Sequence, residues 1–323
     1  MTYATLHDYV VTVTPQQPSE GTNNRHPCPP VLARVTRILA GAGVDAPRTE
    51  AELLAAHVLG VPRGRLLLAD GLTGDQLARL DALVARRAAR EPLQHLTGTA
   101  GFRHLELAVG PGVFVPRPET ELLVEWGIAR ARGSAEPLVV DLCSGSGAVA
   151  LAVAQEVPGA RVVAVERSTA ALAWLRRNAA DRAAAGDRPI EVVEADVADP
   201  ALLGELTGRV DVLLCNPPYV PAGTAVPPEV AGHDPAEAVF GGADGLAVVR
   251  PVVAAAARLL RSGGALAVEH DDTHGRAVPE LIGADGRFDA VSGHADLAGR
   301  PRFTTALRRP EHVPSGAWQT GSS

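Results

Sequence analysis

Lysine is missing from this 323-residue chain, so every basic side chain is one of 30 arginines or 10 histidines, a bias read as compositional rather than chemical. Acidic residues outnumber the arginines and give a formal net charge of −7. Neutralising a run of phosphates needs clustered positive charge, so direct nucleic-acid binding is not expected. The densest basic stretch, RRAAR at 86–90, reads as the solvated face of a helix. Only three cysteines occur, Cys28, Cys143 and Cys215, and no two have paired spacing; neither a disulfide framework nor a zinc site is suggested. No apolar run approaches the ~18 residues that cross a bilayer. The first 30 residues lack the basic start and apolar centre of a secretory signal. A cytoplasmic protein without a membrane partner is the expectation, and no internal repeat is visible.

What is present is an ordinary globular composition, 46% hydrophobic and 21% charged, with enough chain for one large or two modest cores. The expected divisions are a disordered extension (1–29), a helical domain (30–97), a β-hairpin linker (98–116), an α/β domain (117–310) and a flexible tail (311–323). In the helical part, Val31, Val35, Ile38 and Leu39 share one face. Thr49 is the expected N-cap and Gly60 the terminator of the next helix, and Thr73 with Gln76 has capping-box spacing. Farther on, Leu105, Leu107 and Val109 alternate, Gly110-Pro111-Gly112 is read as the turn, and Val113-Phe114-Val115 as the returning strand. From Leu138 strands alternate with helices, a rhythm that calls for a parallel, doubly wound sheet. Two further strands close the chain, and Pro251 either kinks the helix at about 246–261 or marks its true start.

Four strand ends carry chemistry. DLCSGSGAVA (141–150) is a Gly-rich turn into a helix, where backbone can approach a ligand closely and unpaired N–H groups face it. Glu166 closes the second strand 19 residues after Gly147, placed to accept both hydroxyls of a ribose. This spacing leaves NAD and S-adenosylmethionine both open. Asp196 ends the third strand, where it could accept an adenine amine or simply form a turn. The fourth strand ends in Asn216-Pro217-Pro218-Tyr219. An amide nitrogen is a poor nucleophile, because its lone pair is delocalised. Two fixed acceptors, the Asn216 side-chain oxygen and the Pro217 carbonyl, would hold such a nitrogen and stabilise positive charge as it attacks. Tyr219 supplies an aromatic wall. The arrangement suits methyl transfer from a sulfonium to an sp² nitrogen.

Through EAELLAAHVLG, EPLQHLTG, GVFVPRPETE, DLCSGSG, NPPYVP and HDPAEAVFGGADGL, from about residue 31 to 309, the chain resembles the PrmC/HemK family of protein-(glutamine-N5) methyltransferases. The resemblance implies a class I methyltransferase fold: α/β, Rossmann-like, with a mainly parallel seven-stranded sheet, a small N-terminal helical domain and a linking β-hairpin. It implies S-adenosylmethionine as cofactor, held by Asp141, Cys143, Ser144, Gly145, Ser146, Gly147, Glu166, Asp196, Val197 and Asn216. It further implies that Asn216, Pro217, Pro218 and Tyr219 bind the substrate amide and carry the reaction, without metal. Arg117, Pro118 and Glu119 to Glu121 would support the cofactor crevice. The implied substrate is the glutamine of the Gly-Gly-Gln loop of class I peptide-chain release factors, contacted also by the helical domain, and the implied state is a monomer.

The chain departs from the family pattern at three places. Cys143 stands at the commonest glycine position, which calls for a negative φ there. Val197 stands where relatives often carry an aromatic residue, and residues 1–29 have no counterpart. Alternatives from the same residues are an acceptor on a ribosomal-protein glutamine or a nucleic-acid base, a non-catalytic binder that keeps the fold, and, last, NAD-linked oxidoreduction. His270, Asp271, Asp272 and His274 crowd the end of the fifth strand without a second cluster to complete a metal site. Glu269 is expected to orient a loop near the site, and Cys215 to pack as a small hydrophobe.

Overall fold

The structure is a computed structural model that describes residues 25–310. Residues 1–24 of the expected extension (1–29) and the expected tail over 311–323 lie outside the described residues. The described residues divide into two compact units, 25–40 with 45–84, and 41–44 with 85–310.

The first unit is helical. Helix α1 (Cys28–Gly41) buries Cys28, Val31, Val35 and Leu39, but Ile38 is 40% exposed and falls off the expected stripe. This helix starts inside the expected disordered stretch, and His26 exchanges backbone hydrogen bonds with Leu72. Helix α2 (Pro47–Leu59) begins two residues before Thr49, with Ala46 at its N-cap, because proline is accepted in a first turn that needs no N–H partner. Gly60 ends it in the left-handed conformation. Helix α3 (Gly74–Ala88) has its capping box: Thr73 N–H donates to Gln76 Oε1, and Gln76 N–H to Thr73 Oγ.

The second unit opens with α4 (Leu93–Thr97) and an antiparallel hairpin, β1 (Thr99–Phe102) and β2 (Leu105–Ala108). The hairpin turns at Arg103 and His104, not at Gly110–Gly112; Arg103 takes a left-handed φ of 51°. The residues expected as the return strand instead leave the hairpin and bury Val109, Val113 and Val115 against Ala171. Helix α5 (Thr120–Ala131) leads into the alternation: β3 (Leu138–Leu142), α6 (Ala148–Glu156), β4 (Arg161–Glu166), α7 (Thr169–Ala184), β5 (Glu191–Glu194) and β6 (Val210–Cys215). Short helices α8 (Pro228–His233) and α9 (Ala236–Val239) precede α10 (Val249–Leu259), β7 (Leu260–Glu269), α11 (Ala277–Ala284), β8 (Phe288–Ala295) and β9 (Pro301–Arg308). Pro251 sits in the first turn of α10 and marks its start without a kink.

The seven-stranded sheet has the order β5-β4-β3-β6-β7-β9-β8. Its first five members are parallel, and β9 and β8 complete it antiparallel. Chain direction across the sheet reverses between β3 and β6, and such a switch point opens a crevice beyond the strands' carboxyl ends. Alternation along each strand divides the core between the two faces. Val212 and Leu214 pack under α5, α6 and α7, while Leu213 and Cys215 pack under α10 and α11. Asn216, next after Cys215, therefore has the parity of the α5 face.

Helix α5 lies close on β6. A Cβ built on Gly127 would stand 2.6 Å from Leu214 Cδ1, so any larger residue must displace the Leu214 side chain. Gly127→Ala should therefore destabilise the protein by about 1–3 kcal/mol through overpacking, against the ~1 kcal/mol that alanine gains as a helix former. Thermal melting decides the sign, and an unchanged or higher midpoint would show that the α5–β6 contact is loose.

Candidate active site

Strand register builds the site. Leu142 of β3 pairs with Val165 of β4 and with Cys215 of β6, and Cys215 pairs with Val268 of β7. The next residue on each strand thus falls in one row: Glu166, Cys143, Asn216, Glu269. A cleft of about 690 Å³ opens over this row. It is lined by Cys143, Ser144, Gly145, Ser146, Glu166, Asp196, Val197, Asn216, Pro217, Pro218 and Tyr219. Of the residues expected at the site, Asp141 and Gly147 do not reach the cleft wall. Arg117, Glu119 and Thr120 also line it, whereas the Glu121 carboxylate accepts the Arg103 backbone N–H and braces the hairpin turn.

At the β3 end the chain turns tightly. Ser144 N–H donates to Val165 O (3.0 Å), Gly147 N–H to Ser144 O (2.8 Å), and the Ser144 hydroxyl to Asp141 O (2.9 Å). Cys143 takes a φ of 60°, against the expectation of a negative value. A non-glycine residue pays about 1–2 kcal/mol there, and the turn's own hydrogen bonds hold it. Asp141 lies beneath the turn, fully buried, and accepts Ala150 N–H at 3.2 Å; burial pushes its carboxyl up to about 7. Glu166 accepts Gly145 N–H on one oxygen (2.9 Å) and Arg167 and Ser168 N–H on the other (both 2.8 Å). Three of the roughly four acceptor positions of a carboxylate are thereby filled. The expected grip on two ribose hydroxyls would have to share these bonds, so Glu166 first organises the turn itself. Asp196 forms a turn, accepting Ala198 N–H (2.8 Å), and pairs with Arg167 (3.1 Å); the backbone donor and then Arg167 hold its carboxyl below the usual range. Val197 is buried at the cleft wall and offers aliphatic contact where an aromatic would stack.

At the β6 end, Asn216 Nδ2 donates to the Thr120 hydroxyl at 3.0 Å. Tyr219 does more than wall the cleft, because its hydroxyl donates to Glu269 Oε1 at 3.0 Å. Burial, and then Glu269, raise the Tyr219 pKa and keep the phenol protonated. Glu269 is 1% exposed, and burial pushes its carboxyl up to about 7 against the opposing pull of Thr120, Tyr219 and Arg302. Behind the Asn-Pro-Pro-Tyr stretch, Gly241 and Gly245 allow a second backbone segment to close in. A Cβ on Gly241 would meet Pro218 O at 2.5 Å, and one on Gly245 would meet Tyr219 O at 2.3 Å.

Sequence reasoning missed one of these groups. Asn178 of α7 is 2% exposed and donates to Ala108 O (3.0 Å) and Ser146 O (2.9 Å) while accepting Ala108 N–H (2.8 Å). It staples the hairpin to the glycine turn. A polar residue three positions beyond the buried Leu175 was its signal. Thr120 lies in the 119–121 stretch expected to support the crevice, but nothing in the sequence pointed to its bond with Asn216. Cys215 is packed beneath the sheet edge, as expected. His270 bonds Thr304 Oγ (3.0 Å) and Asp271 O (2.9 Å), and no group of three metal-ligating side chains occurs among the described residues. Among them, too, no helix is long and apolar enough to cross a membrane.

Family models agree with this architecture: one described as the PrmC N-terminal domain matches residues 31–98, and one described as the methyltransferase small domain matches residues 110–232. The chain is 56% identical over 277 residues to a protein of Mycolicibacterium smegmatis named release factor glutamine methyltransferase, covering 86% of this chain and 96% of that one. A Streptomyces pristinaespiralis protein named 4-amino-L-phenylalanine/4-methylamino-L-phenylalanine methyltransferase is 41% identical over 269 residues, covering 81% and 89%. A solved structure from Alicyclobacillus acidocaldarius, described as a release factor-specific protein-(glutamine-N5) methyltransferase, is 25% identical with a TM-score of 0.37, covering 62% of this chain and 99% of that one.

The raised Glu269 carboxyl has a stability signature. The unfolded chain releases this proton near the ordinary 4.5, whereas the folded protein keeps it up to about 7. Stability therefore falls as pH rises through that interval and levels off above it. The charged or titratable neighbours that set this value are Tyr219, Arg302 and Glu119. Glu269→Gln should remove the fall, so that the variant gains on the wild type by at most about 3 kcal/mol between about pH 5 and about pH 8. Denaturant unfolding at the two pH values measures this, and parallel curves would mean that Glu269 is ionised throughout.

Proposed function

The chain belongs to the release factor glutamine methyltransferase family, and from that premise we propose that the cleft holds S-adenosylmethionine over the Cys143–Gly147 turn and the glutamine of a release factor's Gly-Gly-Gln loop at Asn216. The observation that carries this reading is the level row of Glu166, Cys143, Asn216 and Glu269, which sets a nucleoside-type turn and an amide-binding stretch side by side in one cleft.

The residues of the turn suit the cofactor. Backbone crosses its floor closely at Cys143 to Gly145, the carboxylate of Glu166 stands at ribose position with an acceptor site to spare, and Val197 with Ala195 gives an apolar wall for a base. When bound, S-adenosylmethionine supplies an electrophilic methyl group on a sulfonium. The protein's part is positional. Asn216 Oδ1 and the Pro217 carbonyl accept the two amide hydrogens, so the substrate nitrogen keeps one orientation and its developing positive charge meets two dipoles. Tyr219 closes the side of the slot. No general base is needed for this, because the alkylated nitrogen is acidic enough to lose its proton to water. The first unit supplies contacts to the release factor, and the enzyme works as a cytoplasmic monomer.

The decisive assay incubates the enzyme with isotopically labelled S-adenosylmethionine and a release factor, and maps the labelled residue by mass spectrometry. Label on the Gly-Gly-Gln glutamine is expected. Label only on a ribosomal protein, a nucleic-acid base or an aromatic amine such as 4-aminophenylalanine would overturn the proposed substrate. Asn216→Ala should lower kcat by about 10²–10³-fold and leave cofactor affinity within about twofold. Near-normal turnover of that variant would remove the amide grip from the mechanism.

A further inference from the structure

The orientation of the Asn216 carboxamide decides whether the slot works. Its oxygen must face the acceptor amide, since a flipped side chain would set two N–H donors against each other. Nothing in the Asn216 side chain favours one orientation, so its surroundings must choose. The contact on its far side is Thr120, whose hydroxyl accepts from Nδ2 at 3.0 Å. A hydroxyl can equally donate to an amide oxygen, so Thr120 selects the orientation only if its own hydrogen is drawn elsewhere.

Glu269 offers an acceptor for it. Its carboxyl is 1% exposed at the end of β7, in the same sheet row as Asn216, and Tyr219 donates to Oε1 at 3.0 Å. Oε2 has no close hydrogen-bonding partner. No hydrogen bond joins Thr120 to Glu269 in the structure, but both are buried and line the same cleft, so an unspent hydroxyl hydrogen and an unpartnered carboxyl oxygen stand on the two groups that adjoin Asn216. We propose that Thr120 and Glu269 are positioning residues for methyl transfer, a relay in which Asn216 donates to Thr120 and Thr120 to Glu269, locking Asn216 Oδ1 toward the substrate nitrogen. Tyr219 enters the same acceptor from the other side, so one buried carboxyl aligns both the amide grip and the aromatic wall. Neither positioning residue touches the reacting atoms. The relay rests on the function proposed above, and deepens it.

The test measures steady-state methylation of a release factor by wild type, Thr120→Ser, Thr120→Val, Glu269→Gln and the Thr120→Val/Glu269→Gln double variant, with S-adenosylmethionine affinity measured by calorimetry on each. Thr120→Ser keeps the hydroxyl and should stay within about threefold of wild type, whereas Thr120→Val keeps the shape and should lose about ten- to hundredfold in kcat. KM and cofactor affinity should remain nearly unchanged in both. Glu269→Gln offers Thr120 an amide donor in place of an acceptor and should show a similar kcat loss. The double variant should lose little more than either single one, because both break the same chain. A valine variant as active as the serine variant overturns the relay, and so do additive losses. If Thr120→Val fails to bind cofactor, Glu269→Gln alone decides, and wild-type kcat in that variant overturns the relay. Absence of any glutamine methylation by the wild type would sink the underlying function instead, a result distinguishable from all of these.

Discussion

Register across four parallel strands is the constraint on which the site depends. Parallel pairing fixes neighbouring strands level to within a fraction of a residue, and here it sets Glu166, Cys143, Asn216 and Glu269 abreast at the mouth of the switch-point crevice. A slip of one residue would turn each of these side chains to the opposite face. The flanking positions make such a slip costly, because Leu213 and Leu214 are both 0% exposed and each fills a different layer of core. The apolar alternation that stabilises the sheet thus also aims its polar ends.

The second determinant is the approach of α5 to β6. Gly127 lets the helix settle against Leu214, two residues before Asn216, and the same helix presents Thr120 at its N-terminus. The distance between Thr120 and Asn216 is thereby controlled by core packing more than by the hydrogen bond they share. A bond worth about 1 kcal/mol could not place a helix; a close-packed interface can, and the bond then reports the placement. Buried charge fits the same logic. Asp141 and Glu269 are both enclosed, and both are held to about 7 by desolvation. Enclosure of that kind costs stability as pH rises toward that value, and the one donor at each carboxyl, Ala150 N–H at Asp141 and the Tyr219 hydroxyl at Glu269, offsets only part of it.

Much of this was legible in the sequence because it is local. The strand and helix alternation from Leu138, the Thr73–Gln76 capping box, the terminating Gly60 and the break at Pro251 each follow from residues a few positions apart. The Asn-Pro-Pro-Tyr stretch was legible for a different reason: its residue types suit one chemistry and disrupt any regular structure. What escaped the sequence was tertiary. Thr120 and Asn216 are 96 residues apart, and Asn178 reaches Ala108 across 70. The hairpin misread has the same origin. Gly110-Pro111-Gly112 has the stronger turn chemistry, but Val109, Val113 and Val115 gain more by burying against Ala171 than a return strand would gain on an open edge.

Cys143 shows how far local preference can be overruled. Sequence reasoning required a negative φ at this position, and the backbone takes 60°. Three bonds decide it: Ser144 N–H to Val165 O, Gly145 N–H to Glu166, and Gly147 N–H to Ser144 O. Reversing Cys143 to a right-handed or extended conformation would swing Ser144 and Gly145 away from β4 and leave buried donors without acceptors, at roughly 1–3 kcal/mol each. Against the 1–2 kcal/mol or so of a left-handed residue, the turn wins. The Glu166 carboxylate is thus both a product of the turn and a condition for it. A ligand that recruits this carboxylate must therefore work within a geometry the protein has already set, which is the preorganisation that a positional catalyst requires.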